Sequence, residues 1–221
     1  MSHDPFVRAA TILALFIVAA AVSAGATAAH RTARTIKPAD LPAILDPKPK
    51  VPKWTFELGD SYIFPIPAHD PAFTLHEWLG EKPRSDRRAL AAKLQRDGFV
   101  IGRHRRWGGE TKVQQPSFVQ RLGADAVFFA FLFRDAAGAH AGFQALLPTV
   151  AAPKKLSVTG LGDDAVAGSD EAENHGALYL WRRANLVVAV EWLCDAECGF
   201  RVGPPARTYA LEIVARAKVK S

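Results

Sequence analysis

The chain predicts an α+β domain, an antiparallel sheet with helices on one face, and three observations carry that expectation. The order strand, strand, helix occurs twice, over residues 99–147 and 177–217. The two strands of each pair are near neighbours in sequence, and hairpins followed by helices give antiparallel sheets with segregated helices. Ala126 to Phe133 (AVFFAFLF) is apolar at every position, the pattern of a strand covered on both sides.

The N-terminus reads as a targeting segment. Arg8 precedes the apolar run Ile12 to Val22, and small residues follow up to Ala29, with Ala26-Thr27-Ala28 as an A-x-A site. Residues 1–28 therefore read as a signal peptide. The alternative is an uncleaved membrane anchor over Ala9 to Ala29, which is long enough to span if its alanines count. Either reading places the domain outside the cytoplasm, secreted or in the cell envelope. Residues 29–53 carry Pro38, Pro42, Pro47, Pro49 and Pro52 among basic residues, which predicts an extended, semi-rigid tether. Only Ala39 to Leu45 can coil briefly. Residues 54–221 form the single domain, and a chain of 221 residues with 49% hydrophobic and 23% charged residues has the material for one core.

Within that domain Trp54 to Ile66 reads as a strand pair or bent edge strand turning at Gly59-Asp60. Asp70-Pro71 starts a short helix that Gly80 closes. Ser85 caps a helix over Asp86 to Asp97, stopped by Gly98. Phe99 to Trp107 is a strand, Gly108-Gly109 a turn, and Thr111 to Leu122 the return, with Pro116 marking an edge or bulge. After the apolar strand, Asp135 caps a helix whose Ala136, Ala139, Phe143, Leu146 and Leu147 keep a 3.6-residue period, and Pro148 ends it. Ala177 to Trp181 and Leu186 to Cys194 form a hairpin around Arg182 to Asn185, Asn185 supplying the left-handed residue. Pro204-Pro205 opens the last helix.

Motifs exclude more than they identify. Gly59-Asp60-Ser61 matches the nucleophile block of GDS-type esterases, but the chain has no D-x-x-H and no G-x-S-x-G. His69, His76, His104, His140 and His175 lack the close spacing of metal ligands, and His140 reads as a packed edge residue of its helix. Gly160 to Ala165 (GLGDDA) has neither the lysine of a phosphate loop nor a dinucleotide fingerprint. Its aspartates read as a solvated acidic loop. No cofactor or metal is expected, and no catalytic residue is assigned. Cys194 and Cys198 (CDAEC) are one residue wider than a redox C-x-x-C, and in an oxidising compartment they predict a local disulfide.

Charge is uneven. Of the net +6, a local +7 lies between Glu81 and Arg121, with eleven Lys or Arg against four acidic residues. Arg103 and Arg105 alternate on a strand while Arg106 takes its other side. With Arg87, Arg88 and Lys93 from the preceding helix they are the candidate anion-binding residues, for anionic lipid, wall polymer or an acidic protein. The bland alternative is a solvated helix face and a charged edge strand. Nucleic acid is not expected as a partner, and membrane contact is confined to residues 9–29 if they are retained.

Asp97-Gly98-Phe99 with Gly102, Arg106 and Trp107, then Phe133-x-Asp135-Ala136-Ala137-Gly138-Ala139, then Gly160 to Ala165, then Arg183-x-Asn185-Leu186-Val187-Val188, resembles a loose group of exported actinobacterial domains of unknown function. Secreted or lipid-anchored members, and extracellular sensor domains of some actinobacterial kinases, look similar in element order. The resemblance covers about residues 85–217. It implies an envelope location and a binding or sensing role. This chain departs from the lipid-anchored members in having no cysteine behind its signal segment. A non-catalytic binding or sensing module is thus the first reading. A secreted hydrolase using Ser61 with His69 or His175 is the second, and a membrane-anchored structural or assembly subunit the third.

Overall fold

An apolar run that must be hidden on both sides dictates the layout. It lies in strand β3 (Val119–Phe133), an interior strand, third in order, of a seven-stranded sheet. The computed structural model describes residues 35–64, 84–114, 116–149, 154–170, 176–194 and 203–217. The other strands are β1 (Thr55–Phe64), β2 (Phe99–Gln114), β4 (Lys154–Lys155), β5 (Asp164–Asp170), β6 (Gly176–Arg183) and β7 (Leu186–Cys194). Their spatial order is β1-β2-β3-β7-β6-β5-β4, and every neighbouring pair is antiparallel. Four α-helices are described: α1 (Leu41–Ile44), α2 (Arg84–Arg96), α3 (Ala136–Leu146) and α4 (Gly203–Arg216). The α+β class and the antiparallel sheet stand as expected.

The helices do not share one face. Phe128, Ala130 and Leu132 join Val188, Val190 and Trp192 in a core roofed by Ala206, Tyr209, Ala210 and Ile213 of α4. Phe129, Phe131 and Phe133 point the other way, into a second core with Ala91 and Leu94 of α2 and Ala139, Phe143 and Leu146 of α3. A strand apolar on both sides needs a roof on both sides, so the two strand-strand-helix units place their helices on opposite faces. A twofold axis carrying β3 onto the antiparallel β7 would leave both helices on one face. The repeat is therefore one of element order only.

Four local expectations are also corrected. The tether is packed from Ile36 onward, with Ile36, Leu41, Ile44 and Leu45 in the α4-side core. Prolines prevent a long helix but leave apolar side chains free to pack. The buried Asn185 side chain fixes this segment, accepting from the Ile36 backbone N–H at 2.8 Å and donating to the Ile36 carbonyl at 3.0 Å and the Phe133 carbonyl at 2.8 Å. The left-handed turn residue is its neighbour Ala184, at φ 50°.

Gly108-Gly109 is not a turn, and β2 runs straight through it. A side chain at Gly109 would place its Cβ 2.3 Å from the Phe56 ring. The glycine is there so that an aromatic from β1 can lie across the strand. Gly59-Asp60 forms a bulge within the continuous β1, because Leu58 opposes Trp107 while Ser61 opposes Arg105. The extra residue switches β1 between faces, so Phe56 enters the α4-side core and Phe64 the other. The capping expectations hold: Asp135 accepts from the Gly138 N–H at 2.7 Å, and Gly98 closes α2 at φ +85°.

Candidate functional site

Among the described elements, helices α2 and α3 roof the part of their face that holds Phe131 and Phe133. Towards the far ends of β2, β3 and β7 the same face carries polar groups. Register sets Arg106 opposite Val127 and Val127 opposite Glu191, one row across three strands. In the next row Gly108 opposes Asp125 and Asp125 opposes Leu193. A cavity of about 260 Å³ lies over these rows, lined by Asp60, His104, Arg106, Asp125 and Glu191 above an apolar floor of Val127, Phe129 and Leu193. Through Asp60, Arg106 and Asp125 it opens into a broader groove of about 880 Å³ between β1 and β2, edged by Glu57 and Glu110 and by Lys53 and Lys112.

Each polar group of the cavity is held differently. Arg106 grips Asp125 with two nitrogens, at 3.0 and 2.7 Å, the fork-to-carboxylate geometry that arginine forms best. The buried His104 is packed between the rings of Tyr62 and Phe129, with centroids at 4.7 and 4.8 Å. Glu191 is the one charged residue in the otherwise apolar and aromatic run Leu186 to Cys194. No described group hydrogen-bonds or ion-pairs its carboxyl, and burial, with Asp125 nearby, pushes its pKa up to about 7. A carboxyl in that position exchanges a proton near neutral pH, and it can ionise fully once a positive partner arrives.

The six cations singled out in the sequence are not brought together. Arg103 and Arg105 face the α4 side, level with Ala130 and Phe128. Arg105 pairs with Asp46 at 2.9 Å and lies over the Trp107 ring at 4.9 Å. Arg103 donates to the Ser61 hydroxyl at 3.4 Å; burial and then Arg105 lower its pKa, with Asp46 opposing. Arg106 faces the other side, and so does α2, which carries Arg87, Arg88 and Lys93. One convergent patch of all six does not form, because the sheet separates its two halves.

Other candidates resolve into structure. Ser61 lies level with Arg105 and so on the opposite face from His104, while His69, His76 and His175 lie outside the described residues. The expected helix at Asp70-Pro71 lies outside them as well. The glycine-rich loop is no solvated stretch. Asp164 accepts from Arg182 at 2.6 Å and meets His140 at 3.0 Å. Asp163 meets Arg182 at 3.3 Å and accepts from the Ala184 N–H at 3.1 Å. Bonds from Arg182 and then from His140 hold Asp164 below the usual carboxylate range. These groups lock the β6–β7 turn, and His140, an exposed helix residue, is spent there. Cys194 ends β7 and is not free, while Cys198 lies outside the described residues. Among the described residues no cluster of His, Cys, Asp or Glu could hold a metal ion.

Sequence reasoning missed Asp60, Asp125 and Glu191. One signal was available: a lone carboxylate at an alternate position of a buried strand has to answer to something. No protein-family profile matches the chain, and no curated protein matches it. Among solved structures, the extracellular domain of PknH from Mycobacterium tuberculosis superposes with a TM-score of 0.37 at 12% identity, over 84% of this chain and 93% of that one. A likeness that loose establishes neither a shared fold nor a shared role.

Proposed function

We propose that this chain is an exported binding or sensing module of the cell envelope, and that it takes a small ligand in the cavity on the sheet face between Asp60 and Glu191. The observation that carries the reading is the cavity itself. Polar side chains from β1, β2, β3 and β7 converge over an apolar floor, and one of them, Glu191, is left without a partner among the described residues. A few placed polar groups over apolar walls is the composition of ligand sites in general.

Export is supported by Arg8, Ile12 to Val22 and Ala26-Thr27-Ala28. Among the described residues no helix is long and apolar enough to cross a membrane. The native protein is expected to begin near Ala29, and an intact Met1 or Ser2 on cytoplasmic protein would end this part of the reading. In the same compartment Cys194 and Cys198 are proposed to form a disulfide, checked by thiol labelling of denatured, unreduced protein. Labelling of both sulfurs would refute it. An anionic partner stays a proposal for Arg88 and Lys93, both exposed on α2.

The test of the site uses a photo-crosslinking residue at the exposed Leu58, on the rim of the groove, compared with one at Arg88. Irradiation of intact cells is expected to yield adducts from position 58. Adducts from position 88 alone would place the binding surface elsewhere.

A further inference from the structure

We infer that the cavity selects a compact organic ammonium ion, its charge set against Glu191 and its apolar body laid on Val127, Phe129 and Leu193. The inference rests on the reading of the cavity as the binding site and adds the class of ligand.

Charge balance comes first. Among the described residues that line the cavity, Asp60, Asp125 and Glu191 face a single permanent cation, Arg106, which Asp125 already engages through both carboxylate oxygens. An anionic ligand would have to displace Asp125 from Arg106 and then sit beside two further carboxyls. Among the described groups a cation displaces nothing. It meets Glu191, whose buried carboxyl no described group pairs, and a buried carboxylate is tolerated only when paired. Among the described residues the surroundings of Glu191 supply no competitor: β3 offers Asp125, β2 offers His104 and Arg106, β1 offers Asp60, and β6 sets Leu178 opposite it. Of these Arg106 is the one fixed positive group, and it stands two strands away, about 10 Å at the usual strand spacing.

The floor argues for an organic cation over a bare metal ion. Val127 and Phe129 are buried and Leu193 partly so, which rewards an apolar body, and no described carboxylate or histidine cluster has metal-binding form. The cavity of about 260 Å³ admits one ring or short chain, and the wider groove leaves room for whatever the ammonium group is attached to.

Benzylammonium is the probe, with benzyl alcohol and benzoate as neutral and anionic controls of the same shape. Each is titrated into the isotopically labelled full chain while backbone amide shifts are followed. Benzylammonium is expected to move the amides of Val127, Phe129, Glu191 and Leu193, more than benzyl alcohol does, and benzoate is expected to leave them in place. Because Glu191 must be ionised to pair, affinity should fall about 20-fold from pH 7.5 to pH 5.5, in step with the ionised fraction. Glu191→Gln should bind more weakly and lose that pH dependence while keeping a dispersed spectrum. If benzoate or benzyl alcohol shifts the same amides as strongly as benzylammonium, the cation class is wrong and the cavity remains the site. If none of the three moves those amides, both the class and the site are overturned. A pH-independent affinity for benzylammonium would remove Glu191 from the recognition.

Discussion

Two parts of one sheet face are built from the same three strands and came out opposite. Under α2 and α3, the β3 residues Phe131 and Phe133 meet Phe64, Phe99 and Val187, with no charge among them. A few residues along, the same strands present Asp125, Arg106 and Glu191 on a floor of Val127 and Phe129. The alternation that directs side chains to this face is unbroken between the parts, so neither register nor strand geometry explains the change. The first part is closed by packing. The second gives up burial that leucine or valine would have supplied, and polar groups retained at such a cost in a β-sheet core answer to a ligand more readily than to the fold.

The two parts should respond unequally to substitution. Phe131 is fully buried, and Phe131→Ala is expected to cost about 3–5 kcal/mol in denaturant unfolding. A cost under about 1 kcal/mol would dissolve the distinction between the parts.

The next effect is one of pH. Glu191 titrates near 7 in the fold against an ordinary 4.5, so between those values the folded chain keeps a proton that the unfolded chain has lost. Stability should therefore decline as pH rises from about 4.5 to 7 and level off above, by about 2 kcal/mol once solvent on the open side is allowed for. Glu191→Gln should flatten that decline, and Glu191→Leu should stabilise the protein at pH 7.5. Unfolding curves measured across the range decide it, and an unchanged slope in the glutamine variant would mean that another group titrates there.

Smallest is Arg106→Ala. Its pair with Asp125 is partly exposed, and the loss should be about 1 kcal/mol or less. A larger loss would make the pair part of the scaffold.

What the sequence revealed follows from how locally each feature is determined. The apolar run of β3, the cap at Asp135 and the stop at Gly98 are written in residues adjacent to their effects, and all three were legible. Gly108-Gly109 read as a turn because glycine pairs usually are one. The reason for their place in β2 is Phe56, more than fifty residues earlier. Asn185 was credited with a conformation that Ala184 adopts, since nothing beside it announces the Ile36 backbone. The charged cluster failed for the same reason. Arg105 and Arg106 are neighbours in sequence yet lie on opposite sides of the sheet, and Arg106 acquires its meaning from Asp125 and Glu191, brought near by the β3–β7 pairing. Periodicity states which side of its own strand a residue takes. It does not say which strand comes to lie alongside.

The hydrogen bonds between Asn185 and Ile36 join positions 149 residues apart. Chains are synthesised from the N-terminus at about 5–20 residues per second, so Ile36 waits roughly 7–30 s before its partner exists. Throughout that interval the Ile36 backbone lacks this partner, and closure over so long a separation is slow even afterwards. The stitch therefore cannot close until β6 has been made, after β1, β2 and β3.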